Sequence, residues 1–172
     1  MTVLRTARLV LRPFEAADIE PYVAIRTKRE VGRFLPAPPK GDRAAWAKDL
    51  FDMFAREWRE RGHGPWAATD AASGRLLGHL GLRYLPEFGE TELLYAFDVD
   101  AWGKGLATEG AAASLRFGFE TVGLARIMAI AIPENAASRK VMTKLGLSYE
   151  RMAKFKGFDV AYHALDRAAW RG

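Results

Sequence analysis

The chain contains no cysteine among its 172 residues, and this absence excludes several kinds of site. Without thiols the protein can form no disulfide, no thiolate metal centre and no cysteine nucleophile. It has only three histidines, and no cluster of residues stands at metal-ligand spacing, so we expect no metal. A chain without cysteine fits a cytoplasmic protein, and this is the location that we expect.

Long apolar runs are missing as well. No segment approaches the roughly 20 apolar residues that cross a membrane. The N-terminal residues 1–6 are followed by no apolar stretch of the signal-peptide type. We therefore expect no membrane partner. The chain also lacks repeats, low-complexity segments and linkers, and its length suits a single domain over residues 1–172.

Positive charge is in modest excess, and the formal net charge is +5. A basic surface is one feature of proteins that bind nucleic acids. Here the basic residues are dispersed rather than packed into a run, and no nucleic-acid-binding module is visible. We therefore do not expect nucleic acid as the partner and favour a phosphorylated small molecule. A solvated basic face without a ligand is the alternative.

A glycine loop between an apolar strand and a helix is the most informative feature that the chain does have. Gly103 and Gly105 remove the side chains that would keep a ligand away from the backbone. The first turn of the following helix offers unpaired N–H groups and the positive end of its dipole. This arrangement favours a bound phosphate, and a tight turn without a ligand is the alternative. The helix is indicated by apolar residues that recur every four positions: Ala107, Ala111, Leu115 and Phe119.

The loop matches neither of the two common phosphate fingerprints. A P-loop has a hydroxyl residue directly after its Gly-Lys pair, whereas Leu106 follows Gly105 here. A dinucleotide loop has a third glycine three residues after the second, and Thr108 stands at that position. The sequence therefore indicates a phosphate that belongs to neither a nucleoside triphosphate nor a nicotinamide cofactor.

The order of elements predicts the α/β (α+β) class, with a mixed antiparallel and parallel sheet and flanking helices. Short links make most strands antiparallel neighbours, and the strand–helix–strand unit around the glycine loop implies one parallel pair. The loop then lies at the carboxyl end of a central strand, where open sheets bind ligands. We predict about seven strands: residues 7–14, 66–69, 76–84, 92–99, 126–132, 148–155 and 158–165.

Three segments together resemble the GNAT superfamily of N-acetyltransferases. Trp102–Glu109 is similar to its acetyl-CoA loop, and Asn135–Leu147 is similar to its second signature. Leu9–Pro13 resembles the first strand of the branch that contains the ribosomal-protein N-terminal acetyltransferases. The resemblance implies acetyl-CoA as cosubstrate, an amine acceptor, and a strongly twisted sheet in which residues 92–99 and 126–132 splay apart in a V.

The resemblance also implies which residues hold acetyl-CoA. Backbone groups on the splayed strand would pair with the pantetheine arm, and N–H groups of the glycine loop would hold the pyrophosphate. Asn135 suits both a helix cap and a bond to the pantetheine arm. Two lysines of the second signature could reach the adenosine 3′-phosphate, or simply be solvated. The residues assigned on this basis are Phe97, Val99, Lys104, Gly105, Leu106, Ala107, Thr108, Asn135, Lys140 and Lys144.

The implied reaction is attack of a neutral amine on a thioester, which needs a base acting directly or through a water. The resemblance points to Glu92 as this base and to Ser138 as the proton donor to the departing thiolate, with Tyr149 as a spare donor that we expect in the core. The other candidate bases are Glu90, His63 and His79; for His79 we favour a buried, hydrogen-bonded core residue.

One position departs from the branch. The branch usually reads Glu-x-Gly-Tyr before the loop, whereas Leu94 stands in place of the glycine here. A side chain at Leu94 can alter the strand or narrow the acceptor site. We expect an apolar acceptor cleft lined by Phe34, Trp66, Phe88 and Phe158.

The acceptor itself stays open between a peptide N-terminus and a small amine, and a homodimer is compatible with the sequence. The competing interpretation is a CoA-binding or acyl-CoA-sensing module without turnover.

Overall fold

The computed structural model describes all 172 residues and contains one sheet of eight strands. The strands are β1 (Leu4–Arg5), β2 (Leu9–Arg12), β3 (Pro65–Asp70), β4 (Leu76–Leu85), β5 (Glu90–Phe97), β6 (Arg126–Ala131), β7 (Ser148–Phe155) and β8 (Phe158–Asp166). Their order across the sheet is β1-β2-β3-β4-β5-β6-β8-β7. The mixed α/β fold is confirmed, and the eighth strand is the two-residue β1, which is too short to show an alternating pattern.

Five helices flank the sheet: α1 (Ile19–Arg26), α2 (Arg29–Gly32), α3 (Arg43–Arg61), α4 (Leu106–Arg116) and α5 (Ala136–Lys144). Their ends follow local signals. Asp42 caps α3 because its side chain accepts a hydrogen bond from the Ala45 N–H at 2.9 Å, and Gly62 ends the helix at φ 72°. The end of α4 passes into π-helical turns over Phe117–Val122. None of the helices combines the length and the apolar character that crossing a membrane requires.

The two faces of the sheet pack against different helices. On one face the predicted α4 stripe is buried, with Ala111, Leu115 and Phe119 at most 2% exposed, and it belongs to a core of 22 buried residues. On the other face α1 and α3 contribute Tyr22 and Phe54 to a second core of eight residues. Successive strand residues point to opposite faces, so β3 and β4 each supply both cores, with Ala67 and Leu76 in the second.

Strand β4 runs without interruption through its two glycines, Gly78 and Gly81. Gly78 and Gly81 adopt φ values of 149° and 154°, which other residues rarely adopt. A Cβ atom at Gly78 would lie 2.0 Å from the carbonyl oxygen of Ala96 on β5. The glycines therefore permit a close approach of neighbouring backbones instead of ending the strand.

Strands β5 and β6 are parallel and separate almost at once. They pair in register only at Glu92 and Met128, whereas β4 and β5 pair from end to end. The two strands diverge beyond Glu92, toward the glycine loop. This divergence is the V-shaped splay that the sequence resemblance implies.

A substitution at Gly110 tests how tightly α4 packs on the sheet. A Cβ atom at Gly110 would lie 2.6 Å from Cδ2 of Leu80 and 3.0 Å from Cδ1 of Leu9, and both leucines are fully buried. Gly110→Ala gains about 1 kcal/mol of helix propensity, but overpacking a core costs about 1–3 kcal/mol. We expect a net loss of about 1 kcal/mol in the free energy of unfolding, measured by urea titration.

Gly32→Ala is the matched control, because a Cβ atom at Gly32 in α2 would meet nothing within 4 Å. This control should be neutral or slightly stabilising. A Gly110→Ala protein as stable as wild type would show that the two leucines can move aside, contrary to the tight packing described here.

Candidate active site

The glycine loop leaves a row of backbone donors without partners. Gly103 and Gly105 have φ values of 72° and 76°, and α4 begins at Leu106. None of the N–H groups of residues 104–108 donates a hydrogen bond within the protein, and the Glu109 N–H is the first to do so, to the Gly105 carbonyl at 3.0 Å. The loop and the first turn of α4 therefore present a cradle of free donors at the positive end of the helix dipole, which fits a pyrophosphate.

Arg8 fixes this loop to the first part of the sheet, a role that the sequence analysis missed. Its Nη1 donates to the Lys104 carbonyl at 2.8 Å and its Nε donates to Glu109 at 2.7 Å. Thr6 donates to the same carboxylate at 2.6 Å. Burial opposes the charge of Glu109, but these hydrogen bonds outweigh it and lower its pKa. The glutamate of the loop motif thus serves as an anchor for the loop.

The odd-numbered residues of β5 direct their backbone groups into the splay. The Asp98 N–H donates to Leu77 on β4, and in an antiparallel pair alternate residues bond to the same neighbour. Tyr95 and Phe97 therefore point their backbone N–H groups toward β6, which does not pair with β5 at that level. These groups lie where an added strand, or a ligand with amide groups, can bond to them.

The sequence expectation for the end of this strand was partly wrong. Strand β5 ends at Phe97, and Val99 begins a 3₁₀ turn. The Val99 carbonyl accepts a hydrogen bond from the Trp102 N–H at 3.0 Å. The Phe97 carbonyl accepts from the Trp102 indole at 2.8 Å. Val99 is therefore not part of an extended strand, because the chain already turns toward the glycine loop at that residue.

Asn135 caps α5, as expected. Its Oδ1 accepts from the Ser138 N–H at 3.1 Å, whereas its side-chain N–H₂ group has no acceptor in the protein. Lys144 lines a cleft of about 680 Å³ together with Thr108 and Arg116 of α4 and residues 169–172 at the C-terminus. Lys140 is exposed on α5 and does not line this cleft. Of the two predicted lysines, Lys144 thus lines the cleft that also borders the first turn of α4, and Lys140 does not.

Tyr95 connects β5 to α5 across the splay. Its hydroxyl lies 3.0 Å from Ser138 Oγ and donates to the Ser138 carbonyl at 3.1 Å. Burial raises the pKa of Tyr95 to about 12, so the phenol stays protonated at neutral pH. Tyr149, which the sequence analysis placed in the core as a spare donor, is 52% exposed on β7. The tyrosine beside Ser138 is therefore Tyr95.

Glu92 is a buried carboxylate at the point where the strands separate. Only 5% of the residue is exposed, and Oε2 accepts from Nη2 of Arg83 on β4 at 2.6 Å. Burial raises the pKa of Glu92, and the Arg83 charge offsets part of this rise. Glu90 instead bonds Tyr162 and Arg126 at the start of the strand. Glu92 is therefore the carboxylate at the splay.

The two other candidate bases are buried histidines. His79 lies 3.0 Å from the Tyr22 hydroxyl through Nδ1, and its pKa lies well below the usual value because of burial. Burial also lowers the pKa of His63. His79 is thus a hydrogen-bonded core residue, as expected. No group of three or more histidine, aspartate or glutamate side chains is arranged to hold a metal ion.

Comparison with known proteins agrees with this geometry. Residues 8–148, most of the chain, match the family described as an acetyltransferase (GNAT) domain. The chain belongs to the GNAT acetyltransferase family. GNAT proteins use acetyl-CoA as cosubstrate, and the free donors of the loop and of β5 fit that ligand.

Relatives and solved structures extend the comparison. The chain is 27% identical to the uncharacterized N-acetyltransferase p20 of Bacillus licheniformis, with all of both chains covered. It is also 27% identical to the uncharacterized N-acetyltransferase YoaA of Bacillus subtilis, with 86% of this chain and 84% of that protein covered. These relatives and the family match support an N-acetyltransferase.

Solved structures with the same fold include an acetyltransferase from Agrobacterium tumefaciens, at 25% identity and a TM-score of 0.84 over 96% of this chain and 94% of that one. They also include the ribosomal-protein-S5-alanine acetyltransferase of Vibrio fischeri, at 18% identity and a TM-score of 0.82 over the whole of both chains. The second likeness is one of fold.

Three of the aromatic residues expected to line one apolar acceptor cleft, Trp66, Phe88 and Phe158, have different surroundings. Trp66 is fully buried and donates its indole N–H to the Thr2 carbonyl at 2.7 Å, so it belongs to the core. Phe88 packs near Phe155 and Tyr162 at the β7–β8 hairpin, and Phe158 is 60% exposed.

Leu94 is half-buried and lies opposite Gly81 of β4, which has no side chain. Strand β5 therefore accommodates leucine at the position where the branch usually has glycine.

Proposed function

We propose that this GNAT protein transfers an acetyl group from acetyl-CoA to a primary amine by direct attack in a ternary complex. One observation carries the proposal: a buried carboxylate, Glu92, lies where β5 and β6 separate, and free backbone donors follow along the same strand and its loop. Such a series of groups can hold a pyrophosphate at the loop end and place the thioester near Glu92, which can accept a proton from the amine.

The binding of acetyl-CoA follows from the free donors. The N–H groups of Lys104, Gly105, Leu106, Ala107 and Thr108 would hold the pyrophosphate. The N–H groups of Phe97 and Val99, together with the side-chain N–H₂ group of Asn135, would donate to the pantetheine carbonyls. Lys144, in the cleft beside Thr108, supplies charge for the adenosine 3′-phosphate, and the exposed Lys140 adds to it from the same helix.

Glu92 would serve as the general base. Acetyl-CoA supplies the activated acyl carbon, and the incoming amine must lose its proton to attack it. Burial raises the pKa of Glu92 above the usual glutamate value, which brings its basicity closer to that of an efficient general base. The carboxylate would accept the proton directly or through one water. The N–H groups of Tyr95 and Phe97, which point into the splay, can stabilise negative charge on the acyl oxygen.

The proton for the departing thiolate would come from the Tyr95–Ser138 pair. The two hydroxyls lie 3.0 Å apart, so either can donate while the other supports it. Ser138 is the donor that the family resemblance implies. The high pKa of Tyr95 keeps its proton available at neutral pH.

Single substitutions distinguish the two hydroxyls. If Ser138 donates directly, Ser138→Ala should lower kcat about 10-fold, while Tyr95→Phe should lower it less; the reverse order would assign the donor to Tyr95. The affinity for acetyl-CoA should change little in either variant. Steady-state kinetics and calorimetry measure both quantities. Equal and small effects of both substitutions on kcat would remove the pair from the reaction.

A thiol-release assay tests the proposed function. Purified protein and acetyl-CoA are mixed with peptides that have free N-termini and with small primary amines, and free CoA thiol is measured. Acceptor-dependent release supports the transferase. Tight binding of acetyl-CoA without release for any acceptor would favour the competing sensor module.

A further inference from the structure

One guanidinium is exposed beside the proposed base. Arg83 and Glu92 are direct partners across β4 and β5, and the ion pair between them uses only Nη2 of the arginine. The Arg83 side chain is 24% exposed, whereas that of Glu92 is 6% exposed. Its Nη1 donates to no acceptor in the protein, and its Nε is buried without a partner. Arg83 therefore presents a free cationic edge next to the carboxylate.

Two cations and one further carboxylate act on the charge of Glu92. Lys156, in the turn between β7 and β8, lies close enough to lower the pKa of Glu92, and Glu87 raises it. On the helical side burial keeps the imidazole of His79 neutral, and two guanidiniums act on it in the same direction. The charged groups that act on Glu92 are thus Arg83, Lys156 and Glu87, whereas Arg26 acts on His79.

The Arg83 guanidinium disfavours an acceptor that is only a cation, because it already pairs with Glu92. A protonated monoamine would approach Glu92 with Arg83 in contact with the same carboxylate. An amine that also carries a carboxylate offers the guanidinium an anion, and arginine binds carboxylates strongly through paired N–H groups. Once Arg83 binds the acceptor, its hold on Glu92 weakens, so the glutamate becomes a better base.

We propose, resting on the function proposed above, that the acceptor is an amine whose carboxylate is separated from the nitrogen by one or two carbon atoms. Arg83 binds the carboxylate and Glu92 faces the nitrogen. The short spacing follows from the 2.6 Å contact between the two side chains. Two sources present this chemistry: the α-carboxylate of a free amino acid, and the side chain of an aspartate at a peptide N-terminus.

Matched acceptors in the thiol-release assay test the proposal and distinguish the sources. One series is phenylalanine, phenylalaninamide and phenethylamine; the other is the peptide amides Asp-Ala-Ala and Asn-Ala-Ala. We expect kcat/KM to be at least 10-fold higher for the acid in one series, and that series identifies the source. Equal or better use of the members that lack the carboxylate, in both series, would overturn the inference and leave the proposed function intact. If acetyl-CoA binds but none of the amines causes thiol release, both the inference and the proposed function are overturned.

Substitution of Arg83 provides the second test, read as a ratio within each protein. Arg83→Gln should reduce the preference for the acid over its amide at least fivefold, mainly through KM, and Arg83→Lys should retain part of it. Arg59→Gln, on an exposed residue of α3, is the matched control and should keep the wild-type ratio. Because the ratio is independent of the amount of active protein, an unchanged ratio in both Arg83 variants would contradict the proposal.

Discussion

Glu92→Gln is expected to lower kcat about 10²- to 10³-fold, because a positioned general base contributes about 10²- to 10⁴-fold. The affinity for acetyl-CoA should stay within about threefold of wild type, because the free N–H groups of residues 104–108 lie beyond the end of β5 and do not include Glu92. Glutamine keeps an acceptor for Arg83 at nearly the same volume. Initial rates of thiol release and calorimetric titration of acetyl-CoA measure the two quantities.

The pH dependence gives the same substitution a second readout. Burial raises the pKa of Glu92, so the active carboxylate form is lost as the pH falls through this raised value. In wild type kcat/KM should therefore decline toward acid from a pH above the ordinary glutamate range. This decline should vanish in Glu92→Gln, while the titration of the acceptor amine remains.

Glu87→Gln is the matched control for Glu92→Gln. Glu87 is exposed in the turn before β5, and its charge only raises the pKa of Glu92. The control should retain at least a third of the wild-type kcat and shift the acid limb slightly toward lower pH. A Glu92→Gln enzyme with an undiminished kcat would exclude Glu92 as the base.

Local signals in the sequence were sufficient for the parts of the site formed by neighbouring residues. The glycine loop, the buried stripe of α4 and the Asn135 cap each depend on residues within one or two turns. The V-shaped splay came instead from the family resemblance, since no local pattern states that β5 and β6 pair at a single position. The register of β5, which determines that Tyr95 and Phe97 face the splay, required the structure.

The contacts that the sequence did not reveal join distant residues. Tyr95 and Ser138 are 43 positions apart, and Arg8 reaches Glu109 from 101 positions away. Tyr149 was misplaced because β7 lies at the edge of the sheet, where an aromatic residue of strand type stays half-exposed. These contacts and exposures depend on which strands and helices become neighbours. The alternation of apolar and polar residues along a single strand does not predict its neighbours.

The loop cradle predicts a specific effect of removing one donor. Ala107 is the second residue of α4, and its N–H bonds nothing in the protein. Proline is tolerated in the first turn of a helix because the missing N–H has no helical partner. Leu106 precedes it in the helix but belongs to the buried core, so Ala107 is the better position.

Ala107→Pro should therefore weaken acetyl-CoA binding without unfolding the protein. A hydrogen bond to a charged group contributes about 1.5–3 kcal/mol, so the Kd for acetyl-CoA should rise about 10- to 100-fold. Circular dichroism checks the fold, and calorimetry measures the affinity. Ala107→Gly keeps the N–H and is less favourable in the helix by about 1 kcal/mol, so it separates loss of the donor from loss of helix stability. If the folded proline variant binds acetyl-CoA as tightly as the glycine variant does, the Ala107 N–H does not contact the pyrophosphate, and the cradle lies elsewhere along the loop.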